Sequence, residues 1–364
     1  MRIALVEARE PLRWRAAEPD LRVYAVAPDA RNLFDAIGVW RSVSQARAHP
    51  YQRMRVWDAA GGGELEFEAN AFGRDALGYI VEQGLLVDSL WLAIQSERRI
   101  ECICPATLED LDQDTDEVRV MLAGGRRLRG SLLIGADGAA SGVRRLAGIG
   151  CDEIPYAQSA IVAYVQTSLA HQDTCWQRFL STGPLAFLPC ADGRSSIVWT
   201  LAQAEADRVA ALVDAAFCQE LERAFDGRLG RILAVSQRRS FPLRRSLSGQ
   251  MCSGRIALIG DAAHVVHPLA GQGVNLGLRD VARLLSTLRR AHPAGADPGS
   301  PQRLQRWARA CRSDNAVAAY SFETINAFFS TDGFLPTLVR GGLLGLAGRI
   351  GPLTQALWRR AAGL

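Results

Sequence analysis

The sequence contains no lysine: all 42 of its basic residues are arginine, a habit of GC-rich coding sequence rather than the mark of a binding role. It also lacks a strong charge of either sign. The formal net charge is +4 over 364 residues, and the arginines are scattered rather than gathered on a stripe interleaved with aromatics. That pattern excludes a nucleic-acid surface and leaves only a weak attraction to anionic lipid headgroups. No apolar run reaches the roughly 18 residues that suggest a membrane span, and the N-terminus lacks the charged start, apolar stretch and small-residue cleavage site of an export signal. A cytoplasmic protein is expected, with a peripheral place at the inner membrane as the other option. The eight cysteines have no paired spacing apart from Cys102 and Cys104, so reduced thiols are expected. Internal repeats and long low-complexity segments are missing too. What remains is 48% hydrophobic and 22% charged, the composition of a globular protein long enough for two domains.

The chain opens on Ile3, Ala4, Leu5, Val6 and Glu7, an apolar run ending in an acid, which reads as a buried parallel strand with a carboxylate at its carboxyl end. In a dinucleotide-binding unit the acid that grips the adenosine ribose follows a first strand, a GxGxxG turn and a helix. Residues 54–69 alternate around Gly61, Gly62 and Gly63, a hairpin signature. A helix is expected over 81–98, strands over 118–122 and 129–134, several strands over 159–201 and a helix over 206–225. Residues 293–301 read as a Pro- and Gly-rich linker, and the remainder as helical with a glycine-rich interruption. The order of elements predicts an α/β fold: a Rossmann-like nucleotide-binding domain (1–45, 76–150 and 250–300) interleaved with a mixed β-sheet substrate domain (46–75 and 151–249), then a C-terminal helical region (301–364).

Two segments carry chemistry. In residues 255–280 a short strand over 256–259 runs into Gly260 and Asp261, where an acid can accept hydrogen bonds from a polyhydroxyl chain. Pro268, Gly271 and Gly273 then shape a loop of little bulk, open to a flat ring. The free amides and positive dipole end of the helix starting near Val274 or Asn275 suit negative charge on such a ring. His264 and His267 have HxxH spacing, but apart from Asp261 no nearby Cys, Asp or Glu cluster completes a metal site, and hydrogen-bonding or packing histidines are expected. In residues 132–145 a buried strand delivers Asp137 and Gly138 to its end, Ser141 is placed to cap the next helix, and Arg144 lies in that helix's first turn.

GADGAASGVRR and IGDAAHVVHPLAGQGVNLGLRD resemble the DG and GD motifs of the class A flavoprotein monooxygenases, the para-hydroxybenzoate hydroxylase group. MRVWDA at 54–59, LGYIVEQ at 77–83, WQRFLSTGPLAFLP at 176–189 and SSIVW at 195–199 resemble that group's ubiquinone-biosynthesis hydroxylases. The resemblance runs over nearly the whole chain. It implies FAD as cofactor, with NADPH, NADH or another donor reducing it, and a polyprenyl phenol and O2 as substrates. It also implies roles. Glu7 would bind the adenosine ribose and Asp261 the ribitol. The backbone from Ala270 to Asn275, including Gly271, Gln272, Gly273 and Val274, would hold the isoalloxazine edge. Asp137 and Arg144 belong to a motif implicated in FAD and nicotinamide binding, and Arg31, Glu82 and Gln83 sit where the family often contacts FAD. Reduced flavin activates oxygen for transfer to an electron-rich ring, so the protein's task is to position the ring and exclude water, with no side-chain nucleophile and no metal.

The family's first strand and GxGxxG are not found in this sequence. Either a truncation or misassigned start, or a natural loss, would account for this. In both cases weak FAD retention and an exposed sheet position are expected. Hydroxylation of a different phenol and a non-catalytic scaffold role in a ubiquinone-synthesis complex are the competing functions. The C-terminal stretch from Phe334, apolar with Arg340, Arg349, Arg359 and Arg360, reads either as a membrane-resting or partner-docking segment or as a packed helix pair.

Overall fold

The structure, a computed structural model, describes residues 2–59, 63–266, 272–291 and 295–312. Pro268, Gly271 and the C-terminal stretch from Phe334 lie outside the described residues.

Half the architecture is one nine-stranded sheet, built around the long strand Cys151–Thr167. That strand pairs antiparallel with Ser195–Ala202 on one side and with Arg239–Ser248 on the other. The sheet continues through Gly183–Pro189 and Thr174–Leu180 to the hairpin Arg53–Asp58 and Glu64–Glu68. Alternation along these strands sends Ile161, Trp176, Leu185, Phe187, Ile197 and Trp199 to one face. There they meet Phe217, Leu221 and Phe225 and form the largest buried cluster. Phe187 and Phe225 stack with centroids 3.8 Å apart. The helical stretch expected over 206–225 is two helices, Gln203–Ala210 and Asp214–Ala224, broken where Val213 turns out to solvent at 73% exposure.

The other half is assembled from small sheets. Gly78–Glu82 pairs antiparallel with Val23–Val26 and with His49–Tyr51. The helix expected from residue 81 therefore begins only at Gln83 and ends at Ser96, because Tyr79, Ile80 and Val81 are claimed by the sheet. Ile3–Val6 pairs parallel with Ile100–Ile103, and Leu133–Gly135 pairs parallel with Ile256–Leu258, in separate sheets. Parallel strands are ordinarily covered on both faces, yet Ile3 and Ile134 are 44% and 41% exposed. The strand expected over 129–134 is likewise two: Arg127–Gly130 closes an antiparallel sheet with Val118–Leu122, and Leu133–Gly135 joins the parallel pair.

The linker is anchored where it is described. Asp297 receives both terminal nitrogens of buried Arg255, at 3.1 and 2.8 Å, and Arg255 also donates to the carbonyls of Thr115 and Ser131. Residues 301–312 are helical and pack Leu304, Trp307 and Cys311 into a second core with Ile256, Leu258 and Leu284.

Candidate functional site

The short strand Ile256–Leu258 is wholly buried and ends at Gly260, whose φ of +56° lets the chain turn sharply. Gly260 lies against Gly277 on the helix Gln272–Ala291: a Cβ at Gly277 would stand 3.0 Å from the Gly260 Cα. Asp280, one turn further, accepts from the Gly260 amide at 3.2 Å and bonds His264 Nε2 at 2.6 Å, with both side chains buried. Trp307 Nε1 reaches the Asp280 carbonyl at 3.4 Å. The turn is thus clamped to the helix from behind. What it presents in front is Asp261, exposed between the clamp and Tyr24. Burial, with Asp261 among the lesser causes, raises the Tyr24 phenol above its ordinary value.

The helix start is fixed to the neighbouring sheet by Asn275. Its Oδ1 accepts from Ala27 N at 2.9 Å, and its Nδ2 donates to Ala25 O at 2.8 Å. Arg279 Nε reaches Asp29 Oδ2 at 2.7 Å one turn later. Among the described residues, none comes within 4 Å of where a Cβ on Gly273 would stand. The first amides of the helix have no intrahelical acceptor.

The residues singled out from sequence fall into two groups. Glu7 lies at the end of its strand and is half-buried, its carboxylate accepting from the Arg9 amide at 3.3 Å. Gln83 opens its helix, also half-buried. Arg31 donates to Tyr79 Oη at 3.3 Å and lies over the Trp40 and Tyr79 rings. With Asp261, Gly273 and Val274, these present groups that a cofactor can meet. The polar atoms of the others are taken by the protein. Asp137 accepts from Ser141 Oγ at 2.5 Å and from Val143 N at 3.0 Å, while Ser141 caps the helix Gly142–Leu146 by accepting from Arg144 N. Arg144 is buried and donates to Ala262 O at 2.8 Å and Ala139 O at 3.0 Å, so it ties the two motifs together beside Asp261. Glu82, 3% exposed, accepts from Trp14 Nε1, Asp20 N and Arg47 Nη1 at 2.9, 2.9 and 3.0 Å. It organises residues 13–22. For Gln272, only the backbone is described.

The clamp partner Asp280 was not singled out from sequence, although it closes the second motif; eight residues separate it from Gln272, and only the folded turn brings it under Gly260. His49, His171 and Asp173 also converge, 124 residues apart in sequence at the widest. His49 Nε2 meets Asp173 Oδ1 at 3.0 Å, His171 Nε2 meets Cys190 O at 3.2 Å, and Asp173 N donates to His171 Nδ1 at 3.1 Å. Both His171 nitrogens are therefore engaged, so this cluster closes on itself as a hydrogen-bonded pin rather than as a metal centre.

The exposed acid at Asp261, the helix start at Gln272 and the half-buried Glu7 fit a dinucleotide-sized cofactor carrying hydroxyls and a flat anionic ring. Comparison with known proteins agrees. The family profile described as FAD binding domain matches residues 13–312. The chain is 36% identical to the 3-demethoxyubiquinol 3-hydroxylase of Escherichia coli (strain K12), covering 100% of this chain and 92% of that protein. It is 35% identical to the ubiquinone hydroxylase UbiL of Rhodospirillum rubrum, over 99% and 84% of the two chains. Among solved structures, p-nitrophenol 4-monooxygenase PnpA from Pseudomonas putida DLL-E4 superposes with a TM-score of 0.76 at 17% identity, covering 99% of this chain and 92% of that one. Klebsiella pneumoniae HpxO, solved with FAD and uric acid, gives 0.72 at 15%, covering 99% and 97%.

Proposed function

Because the chain belongs to the FAD binding domain family and shares the fold of flavin-dependent monooxygenases, we propose that it hydroxylates the aromatic ring of a polyprenyl phenol on the route to ubiquinone. The observation that carries this reading is the clamped turn at Gly260, which holds one exposed carboxylate, Asp261, beside the start of the helix Gln272–Ala291. The end-to-end likeness to relatives named ubiquinone hydroxylases supplies the substrate class.

FAD, when bound, would supply the oxygen-activating chemistry. Asp261 would accept from the ribitol hydroxyls and Glu7 from the adenosine ribose. The amides from Gln272 to Asn275 would stabilise negative charge at the ring edge through the helix dipole. Asp137, Arg144, Glu82 and Asn275 act at one remove: they fix the loops that carry these groups. The face of the large sheet opposite its helix-covered core carries Tyr164, Cys175, Leu188 and Met54, which pack with Ala25 and Ile80 of the cofactor half. Burial keeps the Tyr164 phenol protonated, and it donates to Asp20 O at 2.8 Å. The same surroundings push the Cys190 thiol up to about 12, so it stays neutral. This apolar junction excludes water and leaves acid–base chemistry to the cofactor and the substrate's own phenol. Association with other ubiquinone-synthesis proteins and contact with a membrane surface belong to the same reading, since a polyprenyl phenol resides in lipid.

The test is to load the full chain with FAD, supply NADH or NADPH and a short-chain prenyl phenol, and look by mass spectrometry for product carrying one oxygen atom from labelled O2. Labelled product that disappears in Asp261→Ala, together with loss of flavin absorbance, is the expected result. FAD binding and NAD(P)H oxidation with peroxide as the only oxygen product would sink the hydroxylase reading.

A further inference from the structure

Where the helix Gln272–Ala291 runs beside the helix of residues 301–312, a groove of about 420 Å³ opens between them. Four guanidiniums line it, from Arg283, Arg290, Arg303 and Arg306, together with the hydroxyls of Ser286 and Thr287. The spacing explains the convergence. Residues 283, 286, 287 and 290 share one helix face, and residues 303 and 306 share the face opposite. Trp307 forms the floor and is itself part of the apolar core with Leu284 and Leu304.

No carboxylate lines the groove among the described residues. Asp297, the acid that senses Arg303, is already gripped by both terminal nitrogens of Arg255. Arg283 spends one nitrogen on the Ala310 carbonyl at 3.1 Å. Arg303 Nη1 is buried without a hydrogen-bond partner, a costly state for a charged donor. Gathering the like charges of Arg290, Arg303 and Arg306 around one concavity is unfavourable until an anion neutralises them. Planar guanidiniums in pairs, with hydroxyl donors between them, match phosphate oxygens better than they match a single carboxylate. The volume lies in the range of sites that take a small ligand.

We propose that this groove binds a phosphate group, carried by a free phosphorylated molecule or by a lipid headgroup. It is a second site, separate from the flavin cradle: the groove lies roughly 20 Å along the helix from the amides at Gln272, at about 1.5 Å per residue. It stands or falls independently of the reaction the protein catalyses.

The experiment uses the FAD-loaded full chain, so that the cradle does not take the probe. Inorganic pyrophosphate is titrated calorimetrically, and sedimentation is measured with vesicles of phosphatidylcholine alone and with phosphatidylglycerol added. The same is done for R290Q/R306Q, which changes two exposed side chains, and for R127Q/R129Q, which removes the same charge from a strand elsewhere. Saturable pyrophosphate binding weakened about tenfold in R290Q/R306Q, but not in R127Q/R129Q, supports the site with a free ligand as its source. Sedimentation with phosphatidylglycerol vesicles only, lost selectively in R290Q/R306Q, supports it with a headgroup as its source. Thermal midpoints within error of the parent chain are expected for both variants. If neither probe binds, or if both double variants weaken binding equally, the site is overturned.

Discussion

The buried pair His264 and Asp280 fixes the turn that carries Asp261. Asp280 accepts from His264 and from the Gly260 amide, so its carboxylate holds the turn on which Asp261 is carried. Asp280→Asn keeps the shape and removes the charge that strengthens both bonds. A stability loss of about 2 kcal/mol is expected, and FAD binding should weaken roughly tenfold because Asp261 is no longer held in place. Urea unfolding and flavin-fluorescence titration measure the two effects; unchanged FAD affinity with reduced stability would show that the pair serves the fold alone. His171 makes a different prediction. Burial, aided by neighbouring His49, lowers its pKa below the ordinary 6.5. A histidine depressed in the folded state binds its proton more readily when unfolded, so its contribution is complete above pH 6.5 and is lost as pH falls through the depressed value. The urea midpoint should therefore drop between about pH 7 and about pH 5, with a shallower drop in His171→Gln.

At the scale of elements, the crossing of the Gly260 turn over the helix at Gly277 sets how closely the two motifs approach. A methyl at 277 would press on the Gly260 Cα at 3.0 Å, backbone against backbone, with no flexible side chain to give way. Gly277→Ala adds helix propensity, yet a net loss of about 1 to 3 kcal/mol is expected from overpacking. Thermal unfolding of the apo chain decides between the two effects; a rise in midpoint would mean that the turn shifts freely. The strand and turn at Ile256–Asp261 and the Ser141 cap were legible in the sequence because each depends on neighbours a few residues away. The hairpin over 54–69 was legible for the same reason, although Gly61 and Gly62 lie outside the described residues. The start of the helix at Gln83 was not: Tyr79, Ile80 and Val81 suit helix or strand, and the choice was made by Val23–Val26, more than fifty residues earlier. Nor did the sequence separate residues such as Asp261, which faces open space, from Glu82, whose carboxylate is consumed by Trp14, Asp20 and Arg47. An acid's partners are tertiary facts.

The whole molecule is stitched by repeated crossings of the chain between the cofactor half and the large sheet. His49–Tyr51 belongs to a small sheet of the first, and Arg53–Asp58, one residue on, to the second. Ala25 and Ile80 share a buried cluster with Tyr164, Cys175 and Cys190. Tyr164 Oη donates to Asp20 O, and the Ser248 amide, at the end of a large-sheet strand, donates to Ala263 O beside the Gly260 turn. With so many connections the halves cannot open separately without breaking the junction, so they should unfold in one transition. Ligand linkage makes this measurable. FAD at a hundred times its dissociation constant stabilises whatever unfolds with its site by about 2.7 kcal/mol. The strand Ser195–Ala202 includes none of the residues proposed to meet the cofactor, yet it is buried at the centre of the large sheet. Hydrogen exchange of peptides from that strand should therefore slow about a hundredfold on FAD addition if they exchange only through global opening. Protection confined to the cofactor half, with 195–202 exchanging as in the apo chain, would show two independently opening units instead.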